Sequence, residues 1–141
     1  MQEKGFTLIE VLIALTVFAF GILAVAAMQT TAAGGNAKAR YISEATSWAT
    51  DQLETLMNLD YDDPLLTDGG GTNNGTAGLD DGPVAGTTAD GATASTDGSY
   101  TIYWNVATDV PVIDTKTIRV IVVHGLLNTP TTIDFIRTAG I

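Results

Sequence analysis

The sequence predicts an α+β fold. A long N-terminal α-helix, one half transmembrane and the other amphipathic, packs on a small antiparallel β-sheet of three to four strands, with a long Gly/Asp-rich loop between. Three observations predict it. Phe6 to Met28 is a 23-residue apolar run whose only charge is Glu10. From Tyr41 onward apolar residues recur at three- and four-residue steps, the helical period. From Tyr100 they alternate in twos, the strand period. At 141 residues the chain has room for one small soluble core beside the apolar run.

The first element is the run at 6–28. As a helix it extends about 35 Å at 1.5 Å per residue, enough to cross a bilayer core of about 30 Å. A helix buried in a soluble protein is rarely apolar all round over such a length. A cleaved secretory signal has a shorter apolar region; Ala24-Val25-Ala26 imitates its cleavage site, but the helical pattern continues past it. Small residues at Ala14, Ala19, Gly21, Ala24, Ala26 and Ala27 allow helices to approach closely. Lys4 precedes the span, and Lys38 and Arg40 follow it, so the basic residues give no clear orientation.

The second element, at 29–59, is the amphipathic half. Gly34-Gly35-Asn36 marks a point where a kink is expected. Beyond it Tyr41, Ala45, Trp48, Leu53, Leu56 and Met57 share one face, while Ser43, Glu44, Ser47, Thr50, Asp51 and Glu54 fill the other. Tyr41 and Trp48 are expected in the core. The third stretch, 60–98, carries nine glycines between Asp68 and Gly98, and Asp-Gly turn signals at 68, 81, 90 and 97. It reads as a long loop. The fourth, 99–141, reads as a sheet. Tyr100, Ile102, Trp104 and Val106 form one strand face, and Ile118, Val120 and Val122 a second. Thr131 to Arg137 supplies a third strand after the turn at Leu127-Asn128-Thr129-Pro130, and Val110-Pro111 sits in a turn between the first two.

Charge and composition exclude several functions. The net charge is -10, and from Tyr41 to Thr115 there are 13 acids and no Lys or Arg. Such a surface repels phosphate backbones, so no nucleic-acid partner is expected. With no Cys, disulfides and thiolate chemistry are absent. His124 is the single histidine and reads as structural. The triple glycine at 69–71 lacks the Lys and the strand-helix setting of a phosphate loop. No nucleophile, base and orienting group stand in a recognisable pattern, so the chain is expected not to be an enzyme. No cofactor is expected. Asp60, Asp62, Asp63, Asp68, Asp80 and Asp81 offer hard oxygens that suit Ca2+, but without the spacing of an EF-hand or a defined ligand set.

Glu10 needs a reason, because a carboxylate inside hydrocarbon is costly and is partnered or functional. Gly5-Phe6-Thr7-Leu8-Ile9-Glu10-Val11-Leu12-Ile13-Ala14-Leu15 closely resembles the N-terminal motif of type IV prepilins and type II secretion pseudopilins. The resemblance covers about the first 30 residues and implies much. Residues 1–5 become a leader, removed by a membrane prepilin peptidase between Gly5 and Phe6. Phe6 becomes the new N-terminus and is N-methylated. Its amine pairs with Glu10 of a neighbouring subunit during assembly. The partners implied are other pilin subunits, the prepilin peptidase, an inner-membrane assembly platform and the membrane itself. The single-pass subunit waits in the inner membrane, head in the periplasm, and then enters a pilus or pseudopilus. The absence of Pro before Pro64 departs from major pilins, and Phe20 to Gln29 resembles PilV-type minor pilins and related GspI-type pseudopilins. A minor pilin of a type IV pilus, in a priming or tip complex, is therefore expected. The alternatives are a type II secretion pseudopilin or, in another class, a displayed adhesin whose acidic loop binds a ligand.

Overall fold

The computed structural model describes residues 5–69, 78–83, 86–125 and 129–140. The leader residues 1–4, the second and third glycines of 69–71, and the turn residues 127 and 128 lie outside the described residues. The element order is α1 (Leu8–Met57), a 3-10 turn η1 (Pro64–Leu66), β1 (Gly91–Ala94), β2 (Tyr100–Thr108), β3 (Thr115–His124) and β4 (Thr131–Thr138). The four strands form one antiparallel sheet in sequence order. With α1 packed on it, this is the α+β arrangement that the sequence predicts. The chain divides into two compact units, Met1–Arg40 and Tyr41–Ile141.

In the second unit the periodic residues do what their spacing dictates. Ala45, Ala49 and Leu56 of α1 are buried against Tyr100, Ile102, Trp104 and Val106 of β2 and Ile118, Val120 and Val122 of β3. Trp48, Leu53, Ile133 and Phe135 close the cluster from its edges. The expected kink residues Gly34 and Gly35 lie within unbroken helix, because nothing in the helical hydrogen-bond ladder excludes glycine. The helix ends at Met57, slightly before the expected 59.

No basic residue lies in the last turn of α1. The sheet supplies the cations instead. Arg137 donates to the Leu59 carbonyl, and Lys116, almost fully buried, donates to the Tyr61 carbonyl at 2.7 Å. The Lys116 ammonium also lies 4.4 Å from the Tyr61 ring centroid. Lys116 and Arg137 are direct cross-strand partners. Two like charges side by side are unfavourable. Both are drawn here to the carbonyl-rich exit of the helix, where cations are stabilised.

At the opposite end Tyr100 ties strand to helix. Its hydroxyl donates to Glu44 Oε2 at 2.8 Å, and burial, then Glu44, pushes its phenol up to about 12. His124, the end of β3, packs its ring 4.4 Å from Tyr41 and 4.8 Å from Tyr100.

The stretch expected to be a continuous loop holds two elements. Asp63 caps η1 by accepting from the Leu65 N–H at 2.8 Å. β1 is a true edge strand, paired with β2. Its sequence, Gly-Ala-Thr-Ala, has weak strand preference and no large apolar residue, so its pattern is silent. What holds it is tertiary: the Trp104 indole lies across Gly91 and donates to the Leu65 carbonyl at 3.1 Å. A Cβ at Gly91 would stand 2.0 Å from Trp104 Cζ2. Gly91→Ala is therefore expected to displace the indole and cost about 1–3 kcal/mol, read as a lowered midpoint in urea unfolding.

The β1–β2 hairpin turns on Asp97. Its carboxylate accepts from the Ser95 and Ser99 hydroxyls, each at 2.5 Å, and from the Ser99 N–H at 3.2 Å. These bonds, the serine hydroxyls first, lower its pKa from 3.8 to about 2. The folded state thus favours the ionised form. The contribution is fully present above the unfolded value and is lost as pH falls from about 4 towards 2. Asp97→Asn is expected to flatten that acid limb, measured as the melting temperature against pH.

The rest of the stretch covers the sheet face that turns away from α1. Asn105, on that face, is 1% exposed. Its amide donates to the Leu79 and Asp81 carbonyls at 2.9 Å each and accepts from the Asp90 N–H at 3.1 Å. Leu79, Ala107 and Ile121 are buried with it. Arg119, on the same face, bridges Asp80 at 2.6 Å and Asp134 at 2.7 Å.

Candidate functional site

The residues singled out in the sequence lie at the start of the first unit. Gly5, Phe6 and Thr7 precede α1 without regular structure. A Cβ at Gly5 would meet nothing within 4 Å, so packing within the chain places no demand for glycine there. Phe6 is 82% exposed.

Thr7 is the helix N-cap. The Glu10 N–H donates to Thr7 Oγ1 at 3.3 Å and to the Thr7 carbonyl at 3.1 Å, and the Val11 N–H donates to the same carbonyl at 3.3 Å. Glu10 is thus the third residue of the first turn, the position of the acid in a capping box. An acid there also meets the positive end of the helix dipole. Thr7 was not among the expected site residues. The signal was present, since Thr-x-x-Glu before an apolar run announces a helix start.

Phe6 and Glu10 line one shallow groove, together with Val11, Ala14, Leu15 and Phe18. Residues 6, 10, 14 and 18 are four apart, so they stack along one helix face. A second groove continues along Phe18, Gly21, Ile22, Val25, Ala26 and Gln29. The small residues among these are where a second helix could approach closely.

Among the described residues α1 is one helix long and apolar enough to cross a membrane. Between Phe6 and Met28, fourteen large apolar side chains are more than 40% exposed. Burying each is worth about 1.5–3 kcal/mol, a total above the whole net stability of a typical domain. Water is therefore no resting place for this segment. Lipid or neighbouring helices must cover it.

The acidic residues of the loop do not converge. Asp63 caps η1, and Asp80 faces Arg119. Asp68 reaches the Thr108 N–H at 3.4 Å. Asp90 accepts from the Val106 N–H at 2.7 Å and the Gly69 N–H at 2.8 Å. Burial is the main cause that holds the Asp90 carboxyl above its ordinary value, against the pull of those two bonds. Asp81 is 1% exposed, and neither of its carboxylate oxygens has a hydrogen-bond partner. That placement costs free energy. Ca2+ requires six to eight oxygens. Among the described residues no group of three or more His, Asp or Glu side chains stands close enough to hold a metal.

The family described as the prokaryotic N-terminal methylation motif matches residues 1–26. No curated protein and no solved structure matches the chain. The family match and the apolar helix together support a type IV pilin-like or pseudopilin-like chain: a structural subunit, anchored in a membrane and able to join other such subunits in a filament.

Proposed function

We propose that this chain is a minor pilin subunit of a bacterial type IV pilus, acting in a priming or tip complex. Prepilin peptidase cuts between Gly5 and Phe6 and methylates the new amine of Phe6. The subunit then sits in the inner membrane through residues 6–28, with its head in the periplasm. An assembly platform moves it into the filament.

The observation that carries this reading is the placement of Phe6 and Glu10 on one exposed groove, inside the segment matched by the methylation motif. Cleavage creates an amine at Phe6, and in hydrocarbon both that amine and Glu10 lack counter-charges. Docking against a neighbouring helix neutralises both and fixes the axial register. The cost of isolation in the membrane thus favours assembly. The span has no Pro, which supports a minor rather than a major role.

The test is quantitative mass spectrometry of sheared filaments beside the membrane fraction. The expected result is a trace component of filaments whose N-terminal peptide begins at N-methylated Phe6. Dominance in the filament would make it the major subunit. A mature chain confined to the membrane fraction would favour a secretion pseudopilin. Gly5→Leu is expected to keep residues 1–5 attached and to abolish incorporation. An adhesin anchored independently of a filament would be indifferent to that change.

A further inference from the structure

The β2–β3 loop, residues 109–114, presents apolar side chains on a fixed frame. Val112 is 60% exposed and Ile113 79% exposed, more than any other large apolar residue described in the second unit. Their own packing does not shape the loop. The Asp109 N–H donates to the Thr115 carbonyl at 2.8 Å, and the Asp114 N–H to Asp109 Oδ1 at 3.0 Å. The Thr115 hydroxyl reaches the Val112 carbonyl at 2.6 Å and the Val110 carbonyl at 3.0 Å. The Thr117 hydroxyl also holds Val110, and the Ala139 N–H ties the Asp114 carbonyl to the end of β4. Asp109 and Asp114 take left-handed backbone angles, φ 59° and 64°, at the two ends. Ile136, 51% exposed, pairs across the ladder with Thr117 and so stands at the same end of the outer sheet face.

The charge around this patch has one sign. Asp109, Asp114 and Asp62 all stand near enough to Tyr61 to push its phenol up, after burial, the leading cause. Between Tyr41 and Ile141 there are fourteen acids and only three bases, Lys116, Arg119 and Arg137. All three bases are spent within the chain: Lys116 on the Tyr61 carbonyl, Arg119 on Asp80 and Asp134, and Arg137 on the Leu59 carbonyl. The head therefore offers carboxylates outward and no uncommitted cation.

We propose that the 109–114 loop is a docking surface for a different protein subunit, one that offers an apolar recess for Val112 and Ile113 rimmed by Lys or Arg. An exposed apolar patch with a polar rim is the ordinary sign of an interaction surface. Complementary charge selects its partner and repels the wrong one. A second copy of this head is the wrong one, because it brings acids to acids. The proposal rests on the pilin reading, which supplies neighbouring subunits, and adds which face meets them and what chemistry they carry.

The chain has no Cys, so Ile113→Cys provides a unique attachment point for a photo-crosslinker. The full-length variant is crosslinked in intact filaments and membranes of cells that carry the whole assembly system. The expected product joins this loop to a peptide of another subunit in which Lys or Arg flanks the modified residue. Its yield falls several-fold with added salt, and by roughly tenfold when Asp109→Asn and Asp114→Asn are combined. Asn tolerates the left-handed angle and keeps the oxygen at 109, so the loop frame survives the change. A self-adduct, an acidic partner peptide, no adduct, or a yield indifferent to those substitutions overturns the proposal. The same samples report the N-terminus. A chain that begins at methylated Phe6 without the expected adduct leaves the pilin reading standing and removes this one. A chain that retains residues 1–5 removes both.

Discussion

Replacing Glu10 with Gln is expected to lower the ratio of filament-incorporated to membrane-resident chain by roughly 10²- to 10³-fold. The estimate follows from the about 3–5 kcal/mol lost when one partner of a buried ion pair is removed, at about 1.4 kcal/mol per tenfold. The substitution separates two roles that the geometry gives to one residue. Glu10 stands at the third position of the helix behind the Thr7 cap, where Gln serves a capping box as well as Glu does. A purely local role therefore predicts almost no change with Gln. It also predicts that Thr7→Ala, which removes the cap itself, costs about 1 kcal/mol of helix stability. An assembly role predicts the reverse order: a severe defect with Gln and a mild one with Thr7→Ala. Quantitative mass spectrometry of sheared filaments and membranes reads both. A Glu10→Gln chain that assembles normally would end the ion-pair account.

The elements most legible in the sequence were those whose periodicity is reinforced by size. Tyr100, Ile102, Trp104 and Val106 declare a strand face because each is large, apolar and two apart, and all four are buried. Tyr41, Trp48 and Leu56 mark the helical face equally well. Ala49 was passed over because alanine signals little, yet it is fully buried where the helix meets the sheet. Strand β1 was illegible for a related reason. Its place depends on the absence of a side chain at Gly91, beneath an indole 13 residues away in sequence. The helix exit was misread by charge: no cation is local to it, and Lys116 and Arg137 arrive from distant strands. At the candidate site Gly5, Phe6 and Glu10 were readable from a short motif. The cap at Thr7 was readable and overlooked. The acidic loop misled most. Its Asp and Gly content reads as solvated chain, but part of it is a lid on the sheet whose anchor is a side chain in β2.

That anchor gives the largest stability effect expected in the head. Asn105 uses both amide hydrogens and its oxygen on the backbone of residues 79, 81 and 90, and it is 1% exposed. Asn105→Ala orphans two carbonyls and one N–H beneath the lid. Each unsatisfied buried group costs about 1–3 kcal/mol, so a loss of at least about 3 kcal/mol is expected, well beyond an ordinary surface substitution. Thr101→Ala, on the same sheet face but exposed, should stay within about 0.5 kcal/mol and serves as the control. Both tryptophans, Trp48 and Trp104, lie in the head, so urea unfolding of the full chain in detergent can be followed by their fluorescence. Asn105→Asp should be worse than Ala. It keeps the acceptor for the Asp90 N–H, but it loses both donors and sets a new carboxylate against the Leu79 and Asp81 carbonyls, in a region that already holds the unpartnered Asp81. If Asn105→Ala unfolds with the control, the lid is held by Leu79 and the Arg119 bridge rather than by this amide. If Asn105→Asp is the milder change, electrostatic repulsion beneath the lid is not what limits it.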